Sequence, residues 1–152
     1  MRAKRNLIIC VTGTPGCGKT TIAKKIALKK KLLYVPLNEI LRNEHVYERY
    51  DKKFHSYVVD ERKVREILIG LIKAARMLGQ GLIIDSHLSH EVPGRYADEC
   101  IVVKCDLKTL KKRLKKRRYS ERKIRENLDA EILDVCLVEA KENGHKVRVL
   151  YG

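Results

Sequence analysis

Residues 7–25 read "LIICVTGTPGCGKTTIAKK", and this stretch decides the fold. An apolar run, Leu7 to Thr12, enters a loop holding Gly13, Pro15, Gly16 and Gly18, and Lys19, Thr20 and Thr21 follow at once. A simple turn from strand to helix needs one glycine. Three of them, backed by a lysine and a hydroxyl, let successive backbone N–H groups point inward as an anion nest, and a helix starting near Lys19 adds the positive end of its dipole. Gly13 to Thr20 fits G-x-x-x-x-G-K-[ST] in full, Cys17 included. In that pattern the lysine reaches the outer phosphates of a bound polyphosphate, and the Thr20 hydroxyl is placed for Mg2+. A tight turn with a chance lysine would leave both the spacing and the strand–loop–helix context unexplained. The loop reads as a polyphosphate cradle.

Outward from the loop, strands and helices alternate. Ile22, Ala23, Ile26 and Ala27 share one face of the helix after the loop. Leu32 to Val35 is a short strand, and a short helix covers about Leu37 to His45. The clearest helical period is Val64, Ile67, Leu68, Leu71, Ile72 and Ala75, with Asp60 as its cap and Gly79 at its end. Leu82 to Asp85 is a strand ending on a carboxylate, and Cys100 to Cys105 is another. Leu107, Leu110 and Leu114 mark a basic helix interrupted at Arg117 to Ser120. Ile124, Leu128, Ile132, Val135 and Cys136 predict one long helix to about Lys141, stopped by Asn143-Gly144. The last strand lies in "KVRVLYG". This order predicts an α/β fold of the P-loop NTPase type: a five-stranded parallel sheet inside three α/β/α layers, in one domain spanning residues 1–152. Ligands in such sheets bind at the carboxyl ends of the strands, where the glycine loop and Asp85 both fall.

Asp85 is placed to hold Mg2+ directly or through water. By spacing alone His87 reads as a packing or surface histidine. Arg113 and Arg117, four apart on one helical face at the mouth of the interruption, suit bidentate phosphate binding on an arm that closes over a phosphoryl group. The rest of the basic run reads as a solvated helical face.

Lysine and arginine number 34 against 19 acidic residues, a formal charge of +15. That balance favours anionic partners such as nucleotides or RNA. It equally fits a heat-adapted composition, because charged residues make up 35% and Gln80 is the only glutamine. No apolar run approaches the roughly 20 residues of a membrane span, and the basic-then-apolar start lacks a cleavage site. The chain reads as soluble and cytoplasmic, without a membrane partner. The five cysteines form no C-x-x-C pair, which argues against a zinc site on spacing; Cys10, Cys100 and Cys136 read as core, and a disulfide stays open.

"GTPGCGKTT", "LNEILRNEHVY", "VVDERKV", "IIDSHLSH" and "KRLKKRRYSERKIRENLDAEI" together resemble the adenylate kinase isoenzyme six family, in the same order from about Leu7 to Ala140. The Asp85-x-His87 pair and the arm from Arg117 to Lys123 are the more specific parts. The resemblance implies a nucleoside-monophosphate-kinase-like fold with ATP and Mg2+ at Gly13 to Thr21, a monophosphate-binding region at about 37–60 and a short lid at about 113–123. It implies that Arg42 touches the AMP phosphate, that Arg113 and Arg117 belong to the lid and its hinge, and that Asp85 and His87 form an altered Walker B pair, the histidine orienting water or substrate. It further implies ATPase activity, and a role in small ribosomal subunit maturation with a ribosomal protein and pre-rRNA as partners. Members of that family continue past the last strand with a loop and helix that help hold adenine, whereas this sequence ends at Gly152. Three functions are consistent with these residues: an adenylate kinase with ATPase activity, an ATP-switched ribosome assembly factor with incidental turnover, and a kinase for another small acceptor.

Overall fold

The computed structural model describes residues 6–44, 46–51 and 56–152. Its centre is β1 (Ile8–Thr12), a strand buried on both faces. The sequence IICVT is apolar throughout except for its last residue, as a strand covered on both sides requires. Four parallel partners complete the sheet: β2 (Leu33–Pro36), β5 (Leu82–Asp85), β6 (Glu99–Lys104) and β7 (Val147–Tyr151), in the order β2-β5-β1-β6-β7. Two further strands, β3 (Tyr47–Asp51) and β4 (Ser56–Val59), pair antiparallel as a separate hairpin. That hairpin lies in the region expected to bind a monophosphate and has no clean alternation in sequence; residues 45 and 52–55 of that region are outside the described residues.

Period-two alternation splits the core between the sheet's faces. Ile8, Cys10, Leu82, Ile84, Cys100 and Val102 face one way, and Ile9, Val11, Ile83, Ile101 and Val103 the other. The first face is covered by α2 (Leu37–Asn43), α3 (Glu61–Leu78) and α6 (Val135–Glu142), which bring Leu41, Val64, Leu68, Ile72 and Ala140. The second is covered by α1 (Lys19–Lys30), α4 (Leu107–Lys116) and α5 (Glu121–Ile132), through Ala23, Ala27, Leu110, Leu114 and Ile124. Each fully buried Leu or Ile contributes about 1.5–3 kcal/mol, so the three α/β/α layers are held mainly by these two clusters. Asp60 caps α3 by accepting hydrogen bonds from the Arg62 and Lys63 amides, and Gly79 ends it at φ 68°. Among the described residues no helix is long and apolar enough to cross a membrane.

Two expectations need correction. The long helix to Lys141 is two helices: α5 ends at Ile132, and Asp134 takes a left-handed φ of 53° before α6 begins. The cause is Lys104 at the end of β6, whose ammonium reaches the break, donates to the Glu131 carbonyl at 3.2 Å and pairs with Asp134. Burial opposes the Lys104 charge, but the hydrogen bond to Asp134 and the Glu131 carboxylate outweigh it and raise its pKa above the ordinary lysine value. Cys136, expected in the core, is only part-buried and faces the cavity described below.

The phosphate loop is seated directly on the end of β6. Gly13, at φ 147°, is so close that a β-carbon would stand 2.4 Å from the Val103 carbonyl oxygen. Gly13→Ala is expected to lower stability by at least about 2 kcal/mol, read as an earlier urea midpoint with an unchanged slope.

Candidate functional site

A cavity of about 1000 Å3 opens at the carboxyl edge of the sheet. Its floor is the glycine loop. Gly16 and Gly18 stand at φ 96° and 91°, left-handed conformations that turn successive amides to one side. Gly18 is the N-cap of α1 and offers no side-chain cap, so the first amides of the helix are left to whatever fills the nest. Thr14, Pro15, Gly16, Gly18, Lys19, Thr20 and Thr21 all line the cavity. Cys17 points the other way and is fully buried beneath the loop. The Lys19 ammonium lies 3.3 Å from the Thr14 carbonyl oxygen. Burial lowers its pKa, with Asp85 the main opposing influence.

Asp85 ends β5 opposite Val11 of β1, and is 7% exposed. Its Oδ2 accepts the Thr20 hydroxyl at 2.7 Å and the Tyr34 hydroxyl at 2.6 Å. These are hard oxygen donors gathered at one point, the chemistry that suits Mg2+. Tyr34 was not foreseen; it comes from β2, the strand paired with β5. Burial first, and then its hydrogen bond to the Asp85 carboxylate, pushes the Tyr34 pKa up to about 12, so it stays a donor that orients Asp85.

The turn after Asp85 is held on both sides. Ser86 donates to Asn38 of α2 at 2.7 Å. His90 is buried, with Nδ1 2.7 Å from the Thr12 hydroxyl and Nε2 3.4 Å from Glu139. His145 Nε2 donates to the carbonyls of His90 and Val92. Between these anchors His87 lines the cavity. Burial lowers its pKa to about 4, helped by the Lys19, His90 and Lys123 charges, so the imidazole is neutral near pH 7 and able to accept a hydrogen bond. The packing role that spacing suggested belongs to His90 and His145.

The arginines divide. Arg42, at the end of α2, and Arg117, the C-cap of α4, are exposed and line the cavity from opposite walls. Arg113 does not line it. Its guanidinium donates to the Gly16 carbonyl at 3.1 Å, so it braces the loop's backbone rather than standing with Arg117 over the phosphates. The segment expected to form a lid is a tight helical hairpin, closed by Arg118 at φ 60° and by the Ser120 N-cap. Glu131, buried at the end of α5, was missed altogether. It accepts the Thr14 hydroxyl at 3.0 Å and the Cys105 amide at 2.9 Å, and so joins the lid hairpin to the phosphate loop. A glutamate in an exposed-looking helical repeat carries no sequence signal for such a role.

A family profile described as an AAA domain matches residues 9–134. An adenylate kinase isoenzyme 6 homolog of Schizosaccharomyces pombe is 38% identical over 138 residues, 91% of this chain and 75% of that protein. One from Dictyostelium discoideum is 35% identical over 151 residues, 99% and 83% of the respective chains. The chain belongs to the adenylate kinase isoenzyme 6 family. Solved structures support the fold: a shikimate kinase from Bacteroides thetaiotaomicron (TM-score 0.57, 16% identity, 95% and 85% coverage) and a sugar kinase from Janibacter (TM-score 0.59, 19% identity, 95% and 84% coverage).

The depressed His87 pKa has a measurable consequence. Above about pH 6.5 the imidazole is neutral in both folded and unfolded chains and contributes no pH dependence. Between about 6.5 and 4 the unfolded chain binds a proton that the folded one refuses, so stability falls as pH falls, by up to about 1.4 kcal/mol per pH unit. His90 and His145 are lowered by burial too. His87→Gln is therefore expected to make the acid-side slope shallower without abolishing it, measured by urea unfolding at successive pH values.

Proposed function

We propose that this chain is an ATP-dependent nucleoside monophosphate kinase that moves the γ-phosphoryl of ATP to AMP, giving two ADP, and that water is a second, slower acceptor. The observation that carries this reading is the placing of Lys19, Thr20 and Asp85 with Arg42 and Arg117 around one cavity. At about 1000 Å3 it is at the upper end of small-molecule sites, room for a donor and an acceptor together.

The loop from Gly13 to Thr21 and the α1 N-terminus hold the donor's phosphates through backbone amides, apart from Pro15, which has none, and Cys17, whose amide is bonded to the Thr14 carbonyl. Thr20 and Asp85 would hold Mg2+, which when bound screens charge between the phosphates. An oxygen of the AMP phosphate attacks the γ-phosphorus as the bond to the β–γ bridging oxygen breaks. Arg42 holds the acceptor phosphate, while Lys19 and Arg117 spread the charge that builds on the transferring group. No covalent nucleophile is needed. Neutral His87 donates its ring N–H to an oxygen of the acceptor phosphate, and with water as acceptor its other ring nitrogen takes a hydrogen bond from that water, which gives the hydrolytic branch. Arg113 acts through the loop it braces.

A second reading concerns surface rather than cavity. Lys108, Lys111, Lys112, Lys115 and Lys116 are all exposed on α4, and the chain's charge is +15. That basic helix supports docking on pre-rRNA or a small-subunit ribosomal protein, with nucleotide turnover as the switch. Steeply salt-dependent RNA binding that changes on ATP addition would favour the switch; ADP production from ATP plus AMP far above hydrolysis of ATP alone favours the kinase.

Lys19→Ala is expected to abolish ADP formation by at least about 100-fold in a coupled assay with ATP and AMP; turnover at the wild-type rate would overturn the site assignment. Arg42→Ala is expected to raise the KM for AMP roughly 10- to 100-fold while leaving ATP hydrolysis without AMP largely intact.

A further inference from the structure

Beneath the phosphate loop, on the side away from the cavity, two cysteines distant in sequence meet. Cys17 and Cys105 are 88 residues apart, and their Sγ atoms lie 2.9 Å from each other. Both are buried, at 0% and 6% exposure. Non-bonded carbon atoms settle at roughly 3.5–4.0 Å and sulfur is larger than carbon, so these sulfurs are nearer than packing alone would set them. The backbone holds them there. Cys17 is fixed by the loop, with its amide donating to the Thr14 carbonyl at 3.1 Å. Cys105 directly follows β6, and its amide donates to Glu131 Oε2, the same oxygen that lies 3.5 Å from the Cys17 sulfur.

We propose that Cys17 and Cys105 form a disulfide in the native protein, a covalent staple between the phosphate loop and the end of β6. Neither cysteine has a signal for this in sequence spacing, and neither has a part in the transfer chemistry above. A shared metal ion fits less well, although Glu131 completes a cluster of three ligand-type residues. Sulfurs bound tetrahedrally at about 2.3 Å would stand about 3.8 Å apart. Glu131 Oε1 is also already taken by the Thr14 hydroxyl and the Lys104 ammonium, a cation that repels another.

Bond formation breaks two S–H bonds and makes one S–S bond. Two protons are released, and two electrons pass to a small-molecule disulfide of the glutathione type, which is cleaved to two thiols. One cysteine thiolate attacks that disulfide to give a mixed disulfide, and the second cysteine then displaces the small thiol. Burial, and then contact with Cys105 and Glu131, disfavours the Cys17 thiolate in the folded state. Exchange therefore belongs to the folding chain, and the finished bond is shielded from reductants. Because it closes a long loop, it constrains the unfolded state strongly.

The test uses the full chain refolded in oxidised and reduced glutathione, then alkylated in denaturant and weighed. The expected result is a mass lower by two hydrogens before alkylation and three alkylated thiols of the five. Trypsin should then yield the segment 6–19 linked to the segment 105–108. Reduction in denaturant before refolding should lower the Tm by roughly 10 °C. Cys105→Ser should match reduced wild type in far-UV circular dichroism and lose the redox-dependent Tm shift. Five alkylated thiols in the refolded wild type, a link through other cysteines, or one equivalent of zinc retained with both thiols free would each overturn the proposal. The wild-type mass decides the matter even if the variant does not fold.

Discussion

The parallel register of β1 with β5 and β6 is what the rest of the structure depends on. It sets Val11 opposite Asp85 and Thr12 opposite Val102, so the phosphate loop and the carboxylate emerge on one edge. Thr20 can reach Asp85 only because of that register. A slip of one residue would invert the alternation that buries Ile8 and Cys10 on one face and Ile9 and Val11 on the other. Core packing and site assembly are thus the same constraint, and burial of β1 secures the geometry that binding requires.

Around that edge, rigidity is built in concentric steps. Glycines shape the loop, but the loop does not hold itself. Arg113 grips the Gly16 carbonyl from α4, Glu131 grips Thr14 from α5, and Val103 underlies Gly13. On the opposite wall Tyr34 and Thr20 hold Asp85 by one oxygen, which leaves its other oxygen uncommitted by those two partners. Groups aimed at developing charge are effective when they need no reorganisation at the moment of reaction. The supporting residues supply that pre-organisation, at the cost of a buried carboxylate and several left-handed residues.

How legible this was in the sequence follows a physical line. The five sheet strands, the loop and α3 with its Asp60 cap and Gly79 stop were readable because each is written in contiguous residues. The break at Asp134 was not, since Ile132, Val135 and Cys136 continue a helical pattern and the break is imposed by Lys104 from another element. Tyr34, Glu131 and the meeting of Cys17 with Cys105 share that origin: partners come together through sheet order, and a single chain carries no local mark of it. The family resemblance supplied Arg42 and His87, which residue spacing could not. Helical spacing and the resemblance both grouped Arg113 with Arg117, where side-chain geometry separates them.

Charge couples the phosphate loop to the turn after β5. Burial works against the Lys19 charge and Asp85 only partly offsets it, while a charge on Lys19 in turn works against one on His87. A phosphate chain lying in the nest would add negative charge beside Lys19 and stabilise its protonated form, so binding and Lys19 protonation are linked. The proton on Lys19 is then held most firmly when the donor is present. His87, farther along the same edge, has its titration set by Lys19 as well as by burial, so a change in Lys19 charge is felt there directly. Charge in the phosphate loop and the protonation of His87 are in this way one electrostatic system, beside the end of β5.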